Sequence, residues 1–377
     1  MDQVLKYVLL AWLTLTVFQV YGQKKVRVRD AGIIIGVLNP GPLNAITDVP
    51  GVKVGHKTVI SGEQVRTGVT AILPDTGNIF QLKIPAAIFT GNGFGKLAGS
   101  TQVQELGLLE TPIVLTNTLA VPTAMQAVIE YTLQQPGNEA VQSVNALVGE
   151  TNDGSLNDIR SFALTKKEVT EAILSAKMGP VTEGNVGAGT GTVCFGWKGG
   201  IGTASRVLPK EAGGYTIGVL VQTNFGGVLQ INGLPAGQWF NQYYLNNLLS
   251  EKPDGSCMIV VATNAPLDAR NLQRLAKRAF MGLAKTGGIA SNGSGDYVIA
   301  FSTATQNRVS YNMDNPVSNF QFLHNDAISP IFMGAIEATE EAILNSLFAA
   351  ETMTGKNGKT VEAFPVNAFL QKMKQIK

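Results

Sequence analysis

The chain is poor in the residues from which most catalytic centres are built. Its 377 residues include two histidines, His56 and His324, and two cysteines, Cys194 and Cys257, all far apart in sequence. So sparse a donor set argues against a transition-metal site, and two cysteines make no disulfide framework. Both cysteines sit in apolar, strand-like runs and read as buried thiols. Charged residues make up only 15%, with a net charge of +2. No excess of either sign points to nucleic acid or a membrane surface as partner. The GxSxG elbow of a conventional serine hydrolase is missing. Gly187, Gly189 and Gly191 lack the full GxGxxG spacing, so they read as close backbone packing rather than a nucleotide site. No fixed-period repeat and no Pro/Ser-rich linker divides the chain, which favours one compact unit.

What is present begins with a leader-like N-terminus. Lys6 precedes the apolar run Tyr7 to Val20, and Gly22 offers a small residue before Gln23. The run falls short of the roughly 20 residues a spanning helix needs. Residues 1–22 therefore read as a secretory signal peptide, and the mature chain is expected to be exported, periplasmic or secreted. Further on, apolar strand-like runs alternate with amphipathic stretches. Strands are predicted at Ile84–Thr90, Ile113–Thr116, Val193–Ile201, Tyr215–Thr223, Met258–Thr263 and Tyr297–Phe301. Helices are predicted at Gly99–Leu109, Thr123–Gln135, Lys167–Ala176, Asp268–Lys285 (with Asp268 as N-cap) and Ile331–Ala350. This alternation gives an α/β fold.

One dipeptide suggests chemistry. Gly255-Ser256 opens the β-branched run Cys257-Met258-Ile259-Val260-Val261 with no histidine nearby in sequence. If the chain cleaves itself there, Ser256 gains an α-amino group of ordinary pKa about 7.7–8.0. That amine can serve as the base for its own hydroxyl. Strand alternation puts Ser256, Met258 and Val260 on one face and Cys257 and Ile259 on the other. By itself, Gly-Ser reads as an ordinary turn serine that starts a strand. A triad using His56 or His324 is the competing mechanism.

Further segments narrow the choice. Asn44 to His56, Gly184 to Gly191, Lys198 to Arg206, Gly255-Ser256 and Gly293-Ser294-Gly295-Asp296 occur in this order over most of the chain. Together they resemble the self-processing serine aminopeptidases, the L-aminopeptidase/D-esterases and β-aminopeptidases. The resemblance implies a four-layer α/β/β/α sandwich like that of N-terminal-nucleophile hydrolases but with different connectivity. It implies cleavage into an α chain (23–255) and a β chain (256–377), assembled as an octamer of four such pairs. It makes Ser256 the nucleophile, with Ser294 and Asp296 near its hydroxyl and amine, and Asn224 the oxyanion donor. Position 296 is Glu in some members. Glu150 and Asn152 match the substrate-pocket segment, Glu150 pairing with the substrate's ammonium; position 152 is Tyr in some members. No cofactor and no metal is implied. The expected substrates are short peptides, amides or esters with a free amine; L-α, D and β residues remain open. Two other functions stay in view: an ornithine acetyltransferase-like acyltransferase, a group that uses Thr as nucleophile, and a non-catalytic envelope protein of the same fold.

Overall fold

The computed structural model describes residues 26–246, 254–313 and 315–376; the signal peptide expected over residues 1–22 lies outside them. Two sheets form the middle of the molecule. The smaller contains β1 (Lys53–Ser61), β2 (Val65–Leu73), β4 (Leu97–Ala98), β6 (Ile113–Asn117) and β7 (Leu147–Thr151), in the order β1-β2-β6-β7-β4. The larger runs β10 (Ile201–Val207), β11 (Thr216–Asn224), β12 (Asp254–Thr263), β13 (Gly293–Ser302), β3 (Leu82–Gly93) and β14 (Val309–Ser310). The short β5 (Leu108–Leu109) pairs with β3 off that path.

Helices cover the outer faces. α1 (Val121–Leu133) and α2 (Lys166–Leu174) pack on the smaller sheet. α3 (Ala269–Lys285) and α4 (Ser329–Phe348) pack on the larger. The apolar residues accordingly fall into three slabs. Val69, Val114 and Val148 meet Ala124, Val128 and Ile173 beneath α1 and α2. Ile72, Ile113 and Leu147 meet Leu220, Met258 and Ile299 between the sheets. Ile259, Val261 and Val298 meet Leu272, Leu275 and Ala338 beneath α3 and α4. Three slabs separate four layers, so the α/β/β/α sandwich expected from the resemblance is the fold. Each strand alternates between two slabs because its side chains alternate in direction.

Most predicted elements form close to the expected limits. Asp268 caps α3, its Oδ1 accepting the Asn271 N–H at 2.9 Å. The helix predicted over Gly99–Leu109 is shorter: it spans Ser100–Leu106 and stops at Gly107, whose φ of +66° ends a helix without strain. The strand predicted over Val193–Ile201 is also corrected. Phe195 and Gly196 adopt φ of +52° and +81°, the sign of both central residues in a tight type I′ hairpin turn. They fold the segment into β8 (Val193–Cys194) and β9 (Trp197–Lys198), and β10 starts afterwards. A phenylalanine at positive φ is rare, and tertiary contacts hold it: its N–H donates to Phe225 O at 2.7 Å and its ring meets that of Phe225 edge-on.

The glycine cluster behaves as close packing. A Cβ on Gly189 would lie 2.4 Å from Ile201 N, and one on Gly191 2.2 Å from Arg66 O. Cys194 and Cys257 are buried free thiols, pushed up by burial, Cys194 to about 12. Among the described residues no helix is long and apolar enough to cross a membrane.

Candidate active site

Ser256 stands near the start of β12, between β11 and β13. β12 pairs antiparallel with β11, placing Asn224 opposite Ser256, and parallel with β13, placing Gly295 on its other side. Paired residues project to the same face of a sheet, so Ser256 and Asn224 share the side turned toward the smaller sheet. Cys257 faces α3 and α4 instead and stays out of the site, as alternation predicts.

In the continuous chain the Ser256 hydroxyl donates a hydrogen bond to the carbonyl oxygen of Gly255, the residue it would have to attack. The Gly295 N–H donates to Ser256 Oγ at 3.3 Å. Asn224 is held at both ends of its amide. Its Oδ1 accepts from Val193 N at 2.9 Å, and its Nδ2 donates to the main-chain carbonyl of Asn152 at 3.0 Å. An amide nitrogen carries two hydrogens, so one donor remains to be aimed at a developing oxyanion.

Glu150, at the end of β7, is 2% exposed. Its Oε1 accepts from Lys96 N at 3.0 Å and its Oε2 from the Thr118 hydroxyl. The loop Phe94–Lys96 links this carboxylate to the serine. A Cβ on Gly95 would meet Glu150 Oε1 at 3.2 Å and Gly295 Cα at 2.9 Å. Gly295 in turn leaves no room for a side chain, since its Cβ would fall 2.4 Å from Gly95 Cα and 3.3 Å from Ser256 Oγ. Tyr297 closes this corner, its hydroxyl donating to Gly95 O at 2.8 Å. The sequence motif contained Gly295, but Gly95, Thr118 and Tyr297 are additions that only the meeting of the two sheets reveals. We expect Gly295→Ala to destabilise the protein by about 1–3 kcal/mol, the usual cost of overpacking, and to depress turnover as well. A thermal melt and an activity assay on the purified variant check this; unchanged values in both would show that the loop yields freely.

Ser294 and Asp296 lie elsewhere than the serine hydroxyl. In β13 they alternate with Gly295 and Tyr297, and so face α3 and α4 together with Cys257. They flank the Gly255–Ser256 peptide in register, across from Gly255 and Cys257 respectively. Asp296 is 1% exposed. Burial pushes its carboxyl up to about 6, against the pull of the Ser294 hydroxyl and the Cys257 backbone N–H. Neither carboxylate oxygen, nor Ser294 Oγ, makes a well-aligned hydrogen bond with any described residue. Such a group is available to a proton or an ammonium arriving beside it. Asn92 shapes the turn entering β13, its amide donating to the carbonyls of Ser291, Asn292 and Ser294.

Asn152 differs from expectation in how it contributes. Its side chain is exposed and its Oδ1 accepts from Gly154 N at 2.9 Å, forming a local turn. Its main-chain carbonyl, rather than its side chain, reaches the site through Asn224. Neither histidine approaches Ser256. His56 lies in β1 against Thr70 Oγ1 at 2.9 Å, lowered by desolvation to about 4, and His324 is exposed beside Asp326. The histidine triad is thereby excluded.

A buried serine at a strand end, a clamped amide and a carboxylate across a glycine contact agree with what the chain is similar to. Residues 44–361 match the model of peptidase family S58. A β-peptidyl aminopeptidase of Sphingosinicella microcystinivorans is 41% identical, over 93% of both chains. A β-aminopeptidase of Burkholderia sp. superposes with a TM-score of 0.85 at 39% identity, over 93% of this chain and 99% of that one. The L-aminopeptidase D-Ala-esterase/amidase of Ochrobactrum anthropi, described as a prototype of the serine aminopeptidases and a variant of the Ntn-hydrolase fold, gives 0.85 at 35% identity, over 93% and 98%. The chain belongs to peptidase family S58, and it is a serine aminopeptidase of the Ntn-hydrolase type.

Proposed function

We propose that this protein is an exported aminopeptidase that activates itself by cleaving between Gly255 and Ser256, and that it removes N-terminal β-amino acid residues from short peptides and amides. The observation that carries the reading is the Ser256 hydroxyl donating to the Gly255 carbonyl beside the clamped Asn224 amide. In maturation, Ser256 Oγ attacks the Gly255 carbonyl carbon, the Gly255–Ser256 C–N bond breaks, and an ester replaces it. Water then hydrolyses the ester, leaving a Gly255 carboxylate and a free Ser256 α-amine. In turnover, Ser256 Oγ attacks the first carbonyl of the substrate, and its proton passes by way of the α-amine to the leaving group. Asn224 Nδ2 donates to the oxyanion, and water releases the N-terminal residue from the acyl-enzyme.

The alternation along β13 supports a division of labour. Ser294 and Asp296 stand across from Gly255 and Cys257, flanking the residue whose nitrogen becomes the α-amine, and face away from the hydroxyl's side of the sheet. Their task is to hold that amine and share its proton. Glu150 receives the ammonium of the substrate, which makes the enzyme an aminopeptidase. The preference for β residues rests on curated relatives of 41% and 38% identity that are β-peptidyl aminopeptidases. The match to a peptidase family disfavours the acyltransferase reading. Export rests on the apolar leader, and assembly into an octamer of four chain pairs rests on the family resemblance.

N-terminal sequencing of the purified protein tests the processing. Two chains, the second beginning at Ser256, are expected; one intact polypeptide with full activity would refute it. Glu150→Gln tests the amine site. The Gln amide can still accept from Lys96 N and donate to Thr118, so the fold should persist while the charge is lost. Removing one partner of a buried pair costs about 3–5 kcal/mol, so kcat/KM on β-alanine p-nitroanilide should fall at least ~100-fold. Equal hydrolysis of free and N-acetylated substrates by the wild type would rule out this role.

A further inference from the structure

Lys198 is fully buried, and no described carboxylate lies within ion-pair distance of it. Its Nζ donates to three main-chain carbonyls, Gly199 at 2.7 Å, Thr192 at 2.9 Å and Gly189 at 3.0 Å. Three acceptors match the three hydrogens of an ammonium, yet burying that charge remains costly. Burial lowers the group to about 7, opposed by Cys194 and Asp153. Nothing in the proposed reaction uses this side chain, and an apolar residue would fill the space more cheaply.

Where the hydrogen bonds lead supplies a reason. The Thr192 carbonyl and the Val193 N–H belong to one planar peptide unit. Its oxygen accepts from Lys198, and its nitrogen donates to Asn224 Oδ1 at 2.9 Å. Lys198 and Val193 are cross-strand partners in the β8–β9 hairpin, so the connection is short and rigid. The chain of donors thus runs from the ammonium, through one peptide, through the Asn224 amide, to the hydrogen available for the oxyanion. Consecutive hydrogen bonds in a buried site polarise one another, and a cation at the head pulls electron density away from the terminal N–H.

We propose that Lys198 is a positioning residue for the oxyanion site: through the Thr192–Val193 peptide it orients the Asn224 amide and strengthens it as a donor. This rests on the reading of Asn224 as oxyanion donor. It predicts a loss in the chemical step that disappears once Asn224 is removed.

The test is a double-mutant cycle on the processed enzyme with β-alanine p-nitroanilide, using Lys198→Met, Asn224→Ala and the pair. Lys198→Met keeps most of the aliphatic stem and removes the charge. Its kcat should fall about tenfold or more with KM within about threefold, the loss of strength in one transition-state donor. In the Asn224→Ala background the same substitution should change kcat less than about twofold, because coupled residues are not additive. An equal loss in both backgrounds, or no loss in either, would overturn the role of Lys198 while leaving Asn224 in place. Wild-type kcat in Asn224→Ala would overturn both readings. Should Lys198→Met remain a precursor, Lys198→Arg and Lys198→Gln make the comparison. Arg, which keeps the charge, should exceed Gln in kcat by about tenfold, and equal values would refute the proposal.

Discussion

Ser256→Ala is expected to run as one uncleaved chain and to hydrolyse amino-acid p-nitroanilides about 10⁵–10⁶-fold more slowly than wild type, the scale of loss when a serine nucleophile is removed. Two consequences follow from one atom, because the same Oγ lies against the Gly255 carbonyl in the intact chain and would attack the substrate after cleavage. The fold should survive. β12 is anchored by Cys257 to Val261, all fully buried, and each such apolar side chain contributes about 1.5–3 kcal/mol. The hydroxyl's departure leaves the Gly295 N–H without its acceptor, at a cost of about 1–3 kcal/mol. Denaturing gels, intact mass and a melt distinguish a folded precursor from a misfolded one. A cleaved variant chain beginning at position 256, or turnover within about a hundredfold of wild type, would mean that another group attacks.

Asn224→Ala is expected to lower kcat by about 10²–10³, the usual loss for one oxyanion donor. The effect should fall on kcat rather than KM, since the donor gains most as charge develops on the carbonyl oxygen. Maturation should slow as well, because Gly255 passes through the same tetrahedral geometry. Processing therefore needs to be scored separately, with rates normalised to the amount of mature β chain. Histidine substitutions offer the contrast. His56→Gln and His324→Gln should each keep turnover within about tenfold, as neither ring contacts Ser256, Asn224 or Asp296. A processed histidine variant more than about a thousandfold slower than wild type would reinstate the triad.

Elements whose signal is local are legible in the sequence. The apolar run after Ser256 dictates a buried strand, and the period of 3.6 in Ala269–Lys285 dictates a helix with Asp268 at its cap. Spacing along a strand was enough to separate Cys257 from Ser256. Scarcity of histidine and the Gly255-Ser256 dipeptide, within its family pattern, pointed to a self-activated serine. Tertiary structure alone decided which of these residues meet, because that depends on strand register and on approach between sheets. The Phe195-Gly196 turn needed Phe225 to hold a strained backbone, so no local propensity announced it. Gly95 touches Gly295 because the end of β3 runs alongside β13, and it meets Glu150 only where the smaller sheet approaches that corner. Asn152 reaches the site through a carbonyl, which every residue possesses and which therefore leaves no trace in composition. Ser294 and Asp296 share a face by spacing, but only the parallel register of β12 and β13 sets them across from Gly255 and Cys257, on the face opposite the hydroxyl. Lys198 opens one of the segments that carry the family resemblance, but nothing in the sequence gives its side chain a task. Its partners are main-chain carbonyls brought together by the hairpin, and backbone groups acquire identity only when the chain has folded.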